Sequence, residues 1–222
     1  MTGKTADPLI TMVDYGGSNL RSVQKAFEAV GIRVVTTSDA DVVRAAARLV
    51  LPGVGAFKAG IDGLRARGLD RAIIDAVSGG VPLLGICLGM QLLFDESEEM
   101  GRHAGLGLLP GKVLRFYGRS STETDRGLKV PHMGWNQIQH DNEHPLLAGI
   151  VTGAYAYFVH SYYCAPARPE HIVATAEYGA RFAAIAGCGQ TVGIQFHPEK
   201  SQSIGLRILR NFAEWEVSSD GI

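Results

Sequence analysis

Cys87 sits in the run Pro82-Leu83-Leu84-Gly85-Ile86-Cys87-Leu88-Gly89-Met90-Gln91, an apolar stretch that ends on a cysteine between two glycines. Such a run predicts a buried strand that turns sharply into a helix, with Gly85 and Gly89 removing side chains that would crowd the turn. A nucleophile on that elbow presents its side chain outward and has the following amides facing a substrate. The start of the helix favours the thiolate, the form that attacks. Far downstream, Gln195-Phe196-His197-Pro198-Glu199 supplies an imidazole with a carboxylate two positions on. A thiol is only partly ionised near neutral pH, so it needs a base; His197 can take its proton and return it to a leaving amine. Pro198 stops a regular ladder, which predicts His197 and Glu199 at a strand end, on one face of extended backbone. A lone buried cysteine is usually inert and a lone His-Pro is usually a turn. Together with the glycine-flanked elbow they make the parts of a Cys-His-Glu nucleophilic site.

A carbonyl under attack needs donors for its developing oxyanion, each worth roughly 3 kcal/mol. The amide of Leu88, next after Cys87, is one candidate. Pro52-Gly53-Val54-Gly55 follows the apolar run Leu49-Val50-Leu51, so it ends on the same carboxyl edge of a sheet, where ligands bind in such folds. Its glycines let the peptides turn, and the Val54 or Gly55 amide can complete the hole. A plain turn is the alternative reading of that loop.

The elements that must hold these residues alternate. Strands are predicted at 9–14, 34–35, 49–51 and 83–86, with helices at 19–30, 41–47, 57–67 and 69–77 between them. Short continuous apolar strands separated by helices indicate a parallel sheet covered on both faces. The second half reads differently, with hairpin-connected strands at 113–116, 155–159, 172–177, 181–186 and 192–195 and a closing helix at 203–215. The expected fold is α/β, three-layered, with a mixed, mostly parallel central sheet, helices on both faces and a flavodoxin-like core. Residues 1–8 read as a flexible tail, 9–217 as one domain, and 118–129 as a loop.

Composition narrows the function. The 222 residues are 46% hydrophobic and 19% charged, with a formal net charge of -1, as in an ordinary enzyme domain rather than a nucleic-acid or membrane binder. Cys87, Cys164 and Cys188 are widely spaced and odd in number, with no CxxC pair and no HExxH, so neither a disulfide framework nor a metal site is expected. Free thiols of this kind suit a reducing cytoplasm.

Three blocks carry a specific resemblance: the Pro-Gly-Val-Gly loop, Gly-Ile-Cys-Leu-Gly-Met-Gln, and Gln-Phe-His-Pro-Glu-Lys-Ser. They resemble the triad-type (class I) glutamine amidotransferases. Phe94-Asp95-Glu96-Ser97-Glu98-Glu99, Pro131-His132-Met133-Gly134-Trp135-Asn136 and Tyr157-Phe158-Val159-His160-Ser161-Tyr162 are similar to members that pair with a (β/α)8-barrel cyclase in histidine biosynthesis. The likeness covers about residues 10–212. It implies that Cys87 attacks the side-chain amide of L-glutamine, His197 relays the proton and Glu199 orients His197, with Val54 and Leu88 as oxyanion donors and no cofactor. It also implies that Gln91 and Glu99 hold the amino-acid end of the substrate, with Gly53, Gly55, Ser161 and Tyr162 lining the pocket. The loop holding Met133 and Trp135 is implied to lie near the partner interface, and Asn19, Tyr157 and Lys200 match interface positions. The other acids of 95–99 read as a solvated helix end. The first turn departs from the family pattern, since Ser18 stands where a glycine is usual.

Other readings remain at this level. A cysteine variant of the α/β-hydrolases shares the elbow but places its acid before the histidine, whereas Glu199 follows His197. Amidotransferase subunits serving pyridoxal phosphate, purine or pyrimidine synthesis share the triad but not the 131–136 block. A non-catalytic flavodoxin-like module would lack a titratable nucleophile.

Overall fold

The computed structural model describes residues 9–17, 19–116, 129–141 and 143–216. The predicted tail at 1–8, the Ser18 departure and all but the last residue of the predicted 118–129 loop lie outside the described residues. The first half alternates as expected: β1 (Leu9–Val13), α1 (Leu20–Ala29), β2 (Arg33–Thr37), α2 (Ala40–Arg44), β3 (Leu49–Gly53), α3 (Phe57–Ala66), α4 (Leu69–Ser78), β4 (Leu83–Cys87) and α5 (Leu88–Leu92). The second half contributes β5 (Phe94–Ser97), β6 (His103–Ala104), β7 (Leu109–Arg115), β8 (His132–Ile138), β9 (Ala154–His160), β10 (Tyr162–Pro166), β11 (Ile172–Tyr178), β12 (Ala180–Cys188), β13 (Thr191–Ile194) and α6 (Gln202–Glu214).

Among the described residues the central sheet has seven strands in the order β11-β12-β13-β4-β3-β1-β2. Pairing is parallel from β2 across to β13 and antiparallel for β12 and β11. The period-2 alternation of a strand divides its apolar residues between two cores. Ile10, Met12, Val50, Leu84 and Ile86 pack with Phe27 of α1 and Phe212 of α6. Val13, Leu49, Leu51 and Leu83 pack on the other face with Phe57 of α3 and Ile73 of α4. Both faces are covered, which is why these strands read as unbroken apolar runs. The helices carry matching stripes: Val23, Ala26 and Phe27 are the buried residues of α1, spaced three and four apart.

Several expectations need correction. Strands 113–116 and 155–159 are present as β7 and β9, but they are not joined to each other as a hairpin: β7 pairs in a four-stranded sheet (β10-β7-β5-β6) and β9 in a ribbon with β8. Residues 95–99 are not a solvated helix end: β5 runs through Ser97 and pairs with β6 and β7, burying Phe94 and Ser97. The 131–136 block is not a loop, because His132 to Ile138 pair residue for residue with β9.

α5 meets β3 more closely than side chains allow. A Cβ on Gly89 would overlap the carbonyl oxygen of Leu51. We expect Gly89→Ala to lower unfolding free energy by about 3 kcal/mol, read from urea melts, because neither backbone can yield in a packed core.

Candidate active site

β4 delivers Cys87 at its last position, and α5 starts on the next residue. The cysteine takes φ 54 and ψ -109, a left-handed conformation that strains a side-chain-bearing residue by about 1–3 kcal/mol. The predicted sharp elbow is therefore present, held by packing on both sides. The thiol is not on the outer surface, however; Cys87 is 6% exposed. It lines a cavity of about 310 Å³, because residues 159–162, where β9 ends and β10 begins, form a further wall.

His197 follows β13, and its amide donates to the carbonyl of Tyr157 in β9 at 2.9 Å. Its Nδ1 lies 2.7 Å from Glu199 Oε1, so the predicted pair exists. It is not made on extended backbone. Pro198 lacks an N–H and opens a 3-10 turn, Pro198–Lys200, which folds Glu199 back beneath the ring. Nδ1 being engaged, Nε2 is left to face Cys87. Burial opposes charge on His197, but its interactions with Cys87 and Glu199 outweigh that and raise its pKa from 6.5 to about 10. Burial also opposes charge on Glu199; hydrogen bonds from His197 and Asn19 prevail and hold its pKa below the ordinary 4.5.

Asn19, which matches an interface position, is half-buried and also reaches the site, donating from Nδ2 to Glu199 Oε1 at 2.8 Å. The residue sits just ahead of α1 with φ 76, a conformation asparagine tolerates better than most side chains. It thus extends the Cys87–His197–Glu199 line by one more group.

Val54, Gly55 and Leu88 line the cavity beside Cys87, as the oxyanion reading requires. Gly53 does not line it. It is the last residue of β3, opposite Cys87 in register, and lies against Tyr15. Gln91, Glu99, Ser161 and Tyr162 all reach the cavity wall. Gln91 Nε2 donates to the carbonyl of Tyr162 (3.1 Å) and to Gln195 Oε1 (3.3 Å). Glu99 Oε2 accepts from the amide of Phe57 at 2.6 Å, the first residue of α3, where a helix start stabilises a carboxylate. Glu99 therefore puts negative charge into the cavity and ties it to the segment after Gly55.

Two groups went unforeseen. Gln195 is fully buried and directs Nε2 at Cys87 Sγ, 3.9 Å away. His160 lines the cavity and closes a chain of hydrogen bonds. The Tyr162 carbonyl can only accept, so His160 must hold its proton on Nδ1 (2.8 Å). His160 Nε2 then accepts from His132 Nδ1 (3.1 Å), whose Nε2 accepts from Asn136 Nδ2 (3.3 Å). Burial lowers the pKa of His132 to about 4 and that of His160 to about 3, so both rings stay neutral at neutral pH. Neither showed in the sequence, because contacts among distant strands create them.

Trp135, Tyr157 and Lys200 lie elsewhere, on the outside of the β8–β9 ribbon. Trp135 and Tyr157 are cross-strand neighbours with ring centroids 5.9 Å apart, and Lys200 Nζ stands 5.7 Å from the centre of the Tyr157 ring. Met133 is 62%, Trp135 47% and Tyr155 55% exposed on this ribbon. Together they leave an exposed apolar cluster on the protein surface. Among the described residues no group of three or more His, Cys, Asp or Glu is placed to hold a metal ion, and no helix is long and apolar enough to cross a membrane.

Known proteins match this arrangement. Residues 11–215 fit the family model for glutamine amidotransferase class-I. The imidazole glycerol phosphate synthase subunit HisH of Syntrophotalea carbinolica is 52% identical over 206 residues, 93% of this chain and 100% of the relative. The corresponding HisH of Salinibacter ruber is 49% identical over 92% of this chain and 94% of its own. Among solved structures, PurLQS from Thermotoga maritima superposes with a TM-score of 0.70 over 93% of this chain and 98% of that one, at 20% identity, which speaks to the fold. The protein with these elements, this elbow and these relatives belongs to the class I glutamine amidotransferase family, among the HisH subunits of imidazole glycerol phosphate synthase.

Proposed function

We propose that residues 9–217 form one glutaminase domain, working in the cytoplasm, that hydrolyses L-glutamine through Cys87, His197 and Glu199 and hands the ammonia to a (β/α)8-barrel cyclase. The observation that carries it is the line Cys87–His197–Glu199 at one wall of a cavity that also holds a carboxylate, Glu99. Cys87 Sγ, having passed its proton to His197 Nε2, attacks the side-chain amide carbon of glutamine, and the oxyanion that forms is met by the amides of Val54 and Leu88. His197 gives its Nε2 proton to the amide nitrogen, the C–N bond breaks and ammonia leaves a glutamyl thioester. Water then attacks the thioester, giving a proton to His197, and glutamate departs as the thiol re-forms. Glu199, braced by Asn19, holds the imidazolium in place throughout. Glu99 pairs with the substrate's ammonium group, and Gln91 sits along the same wall.

Ammonia released into water would be protonated and lost to the next reaction, so delivery requires a docked acceptor. The exposed aromatic ribbon with Trp135, Tyr157 and Lys200 is the surface that suits it, and the cyclase then makes imidazole glycerol phosphate and aminoimidazole carboxamide ribonucleotide. Relatives near 50% identity named as HisH favour this over pyridoxal phosphate, purine or pyrimidine synthesis. The test is glutamate release by the chain alone and with the cyclase subunit present. We expect release to rise at least ~10-fold in the complex, because the partner selects the hydrolysing arrangement. Equal rates with and without the cyclase would refute that dependence.

A further inference from the structure

Tyr15 is 4% exposed, yet its hydroxyl has no hydrogen-bond partner among the described residues. A buried hydroxyl left unpaired destabilises a fold, so its retention needs a reason. Its slot is built from three glycines. A Cβ on Gly17 would come within 2.9 Å of the Tyr15 ring, one on Gly63 within 3.2 Å, and one on Gly53 would overlap Oη itself. The ring is thus inserted so that its polar end abuts the last residue of β3, opposite Cys87 in register. The next residue, Val54, already lines the cavity. Arg67 fixes the base of the slot by donating from Nη1 to the Tyr15 carbonyl at 2.9 Å.

We infer that the Tyr15 hydroxyl is a positioning donor held ready for the Gly53–Val54 peptide, pairing with its carbonyl oxygen when that peptide turns its N–H toward the oxyanion of the substrate. This rests on the glutaminase reading above. A peptide that turns exchanges the sides on which its N–H and C=O lie, so the same motion that offers an amide to the cavity needs an acceptor's partner behind it. Tyr15 supplies that partner in the working state and lacks one at rest. Burial, with charge on Cys87 and on Asp14 adding to it, pushes the phenol pKa up, so the group remains a donor throughout the working pH range. Resting protein carries the unpaired hydroxyl, and the energy returns when the peptide turns.

The consequence is an opposition of signs that ordinary core packing does not produce. Tyr15→Phe, assayed in the complex with the cyclase, should lower kcat for glutamine hydrolysis about 10-fold while leaving KM for glutamine within about twofold, since one supporting hydrogen bond is lost only in the transition state. The same variant alone should melt about 2–4 °C higher than the wild type, because the unpaired hydroxyl is gone. An unchanged kcat would overturn the proposal, and so would a fall in kcat accompanied by a lower melting temperature, the mark of a merely structural ring. Wild-type complex that releases no glutamate from glutamine would instead refute the glutaminase reading, so the two failures are separable.

Discussion

Cys87→Ala is expected to reduce glutamine hydrolysis by at least ~10⁴-fold, measured as glutamate released by the complex. The cavity, Gln91, Glu99 and the ribbon are untouched by the change, so association with the cyclase should persist in size-exclusion chromatography. A residual rate above ~1% would mean that the thiol is not the attacking group. Backbone geometry adds a second arm. Cys87 holds φ 54 and ψ -109, and alanine inherits that strain. Glycine does not, so Cys87→Gly should be about 1 kcal/mol more stable than Cys87→Ala in urea unfolding, although both are inactive. A glycine variant less stable than the alanine one would show that the surrounding packing, and not the turn, sets the balance here.

Glu199→Gln should lower kcat/KM by roughly 10²–10³-fold, since the imidazole loses the charge that orients and stabilises its protonated form. Its signature is in the pH dependence. In the wild type the folded pKa of His197 is raised from 6.5 to about 10, so its contribution to stability is fully present below 6.5 and lost as pH rises through about 10. Glu199 is shifted downward, so its contribution is present above 4.5 and lost as pH falls. The pair therefore stabilises the fold most between about 4.5 and 6.5. With glutamine at 199 the folded histidine titrates earlier. Two effects follow: the alkaline limb of kcat/KM, set near 10 in the wild type, moves to lower pH, and the decline in melting temperature from pH 6.5 to 10 flattens. An alkaline limb that stays put would detach Glu199 from the proton relay.

The parts of this fold that could be read from sequence are those where burial is two-sided. Leu49-Val50-Leu51 and Leu83-Leu84-Gly85-Ile86 announce themselves as strands because both faces of the sheet are covered. β8 does the reverse of the usual pattern: Met133 and Trp135, its large apolar letters, face solvent, while His132 is buried. An inverted alternation with a glycine in it reads as a loop. β5 was obscured by Asp95 and Glu96, acidic residues that an edge-like small sheet accommodates. The same distinction governs the site. Cys87, His197 and Glu199 sit in short motifs whose residue types declare their chemistry. Asn19 on Glu199, Gln195 on Cys87, and the neutral pair His132–His160 depend on strands meeting across the fold, and Tyr15 is marked by an unpaired atom that no letter reveals.

The ribbon and the histidine share more than proximity. Tyr157, in β9, accepts at its carbonyl from the amide of His197 and donates its own amide N–H to Ser201 Oγ at 2.9 Å, while the same hydroxyl donates to the carbonyl of His197 at 2.6 Å. The outward-facing strand and His197 are thus stitched together through Ser201. A compound or engineered protein gripping the Trp135–Tyr155 surface would pull on that stitch, and the expected outcome is slower turnover with KM for glutamine unchanged.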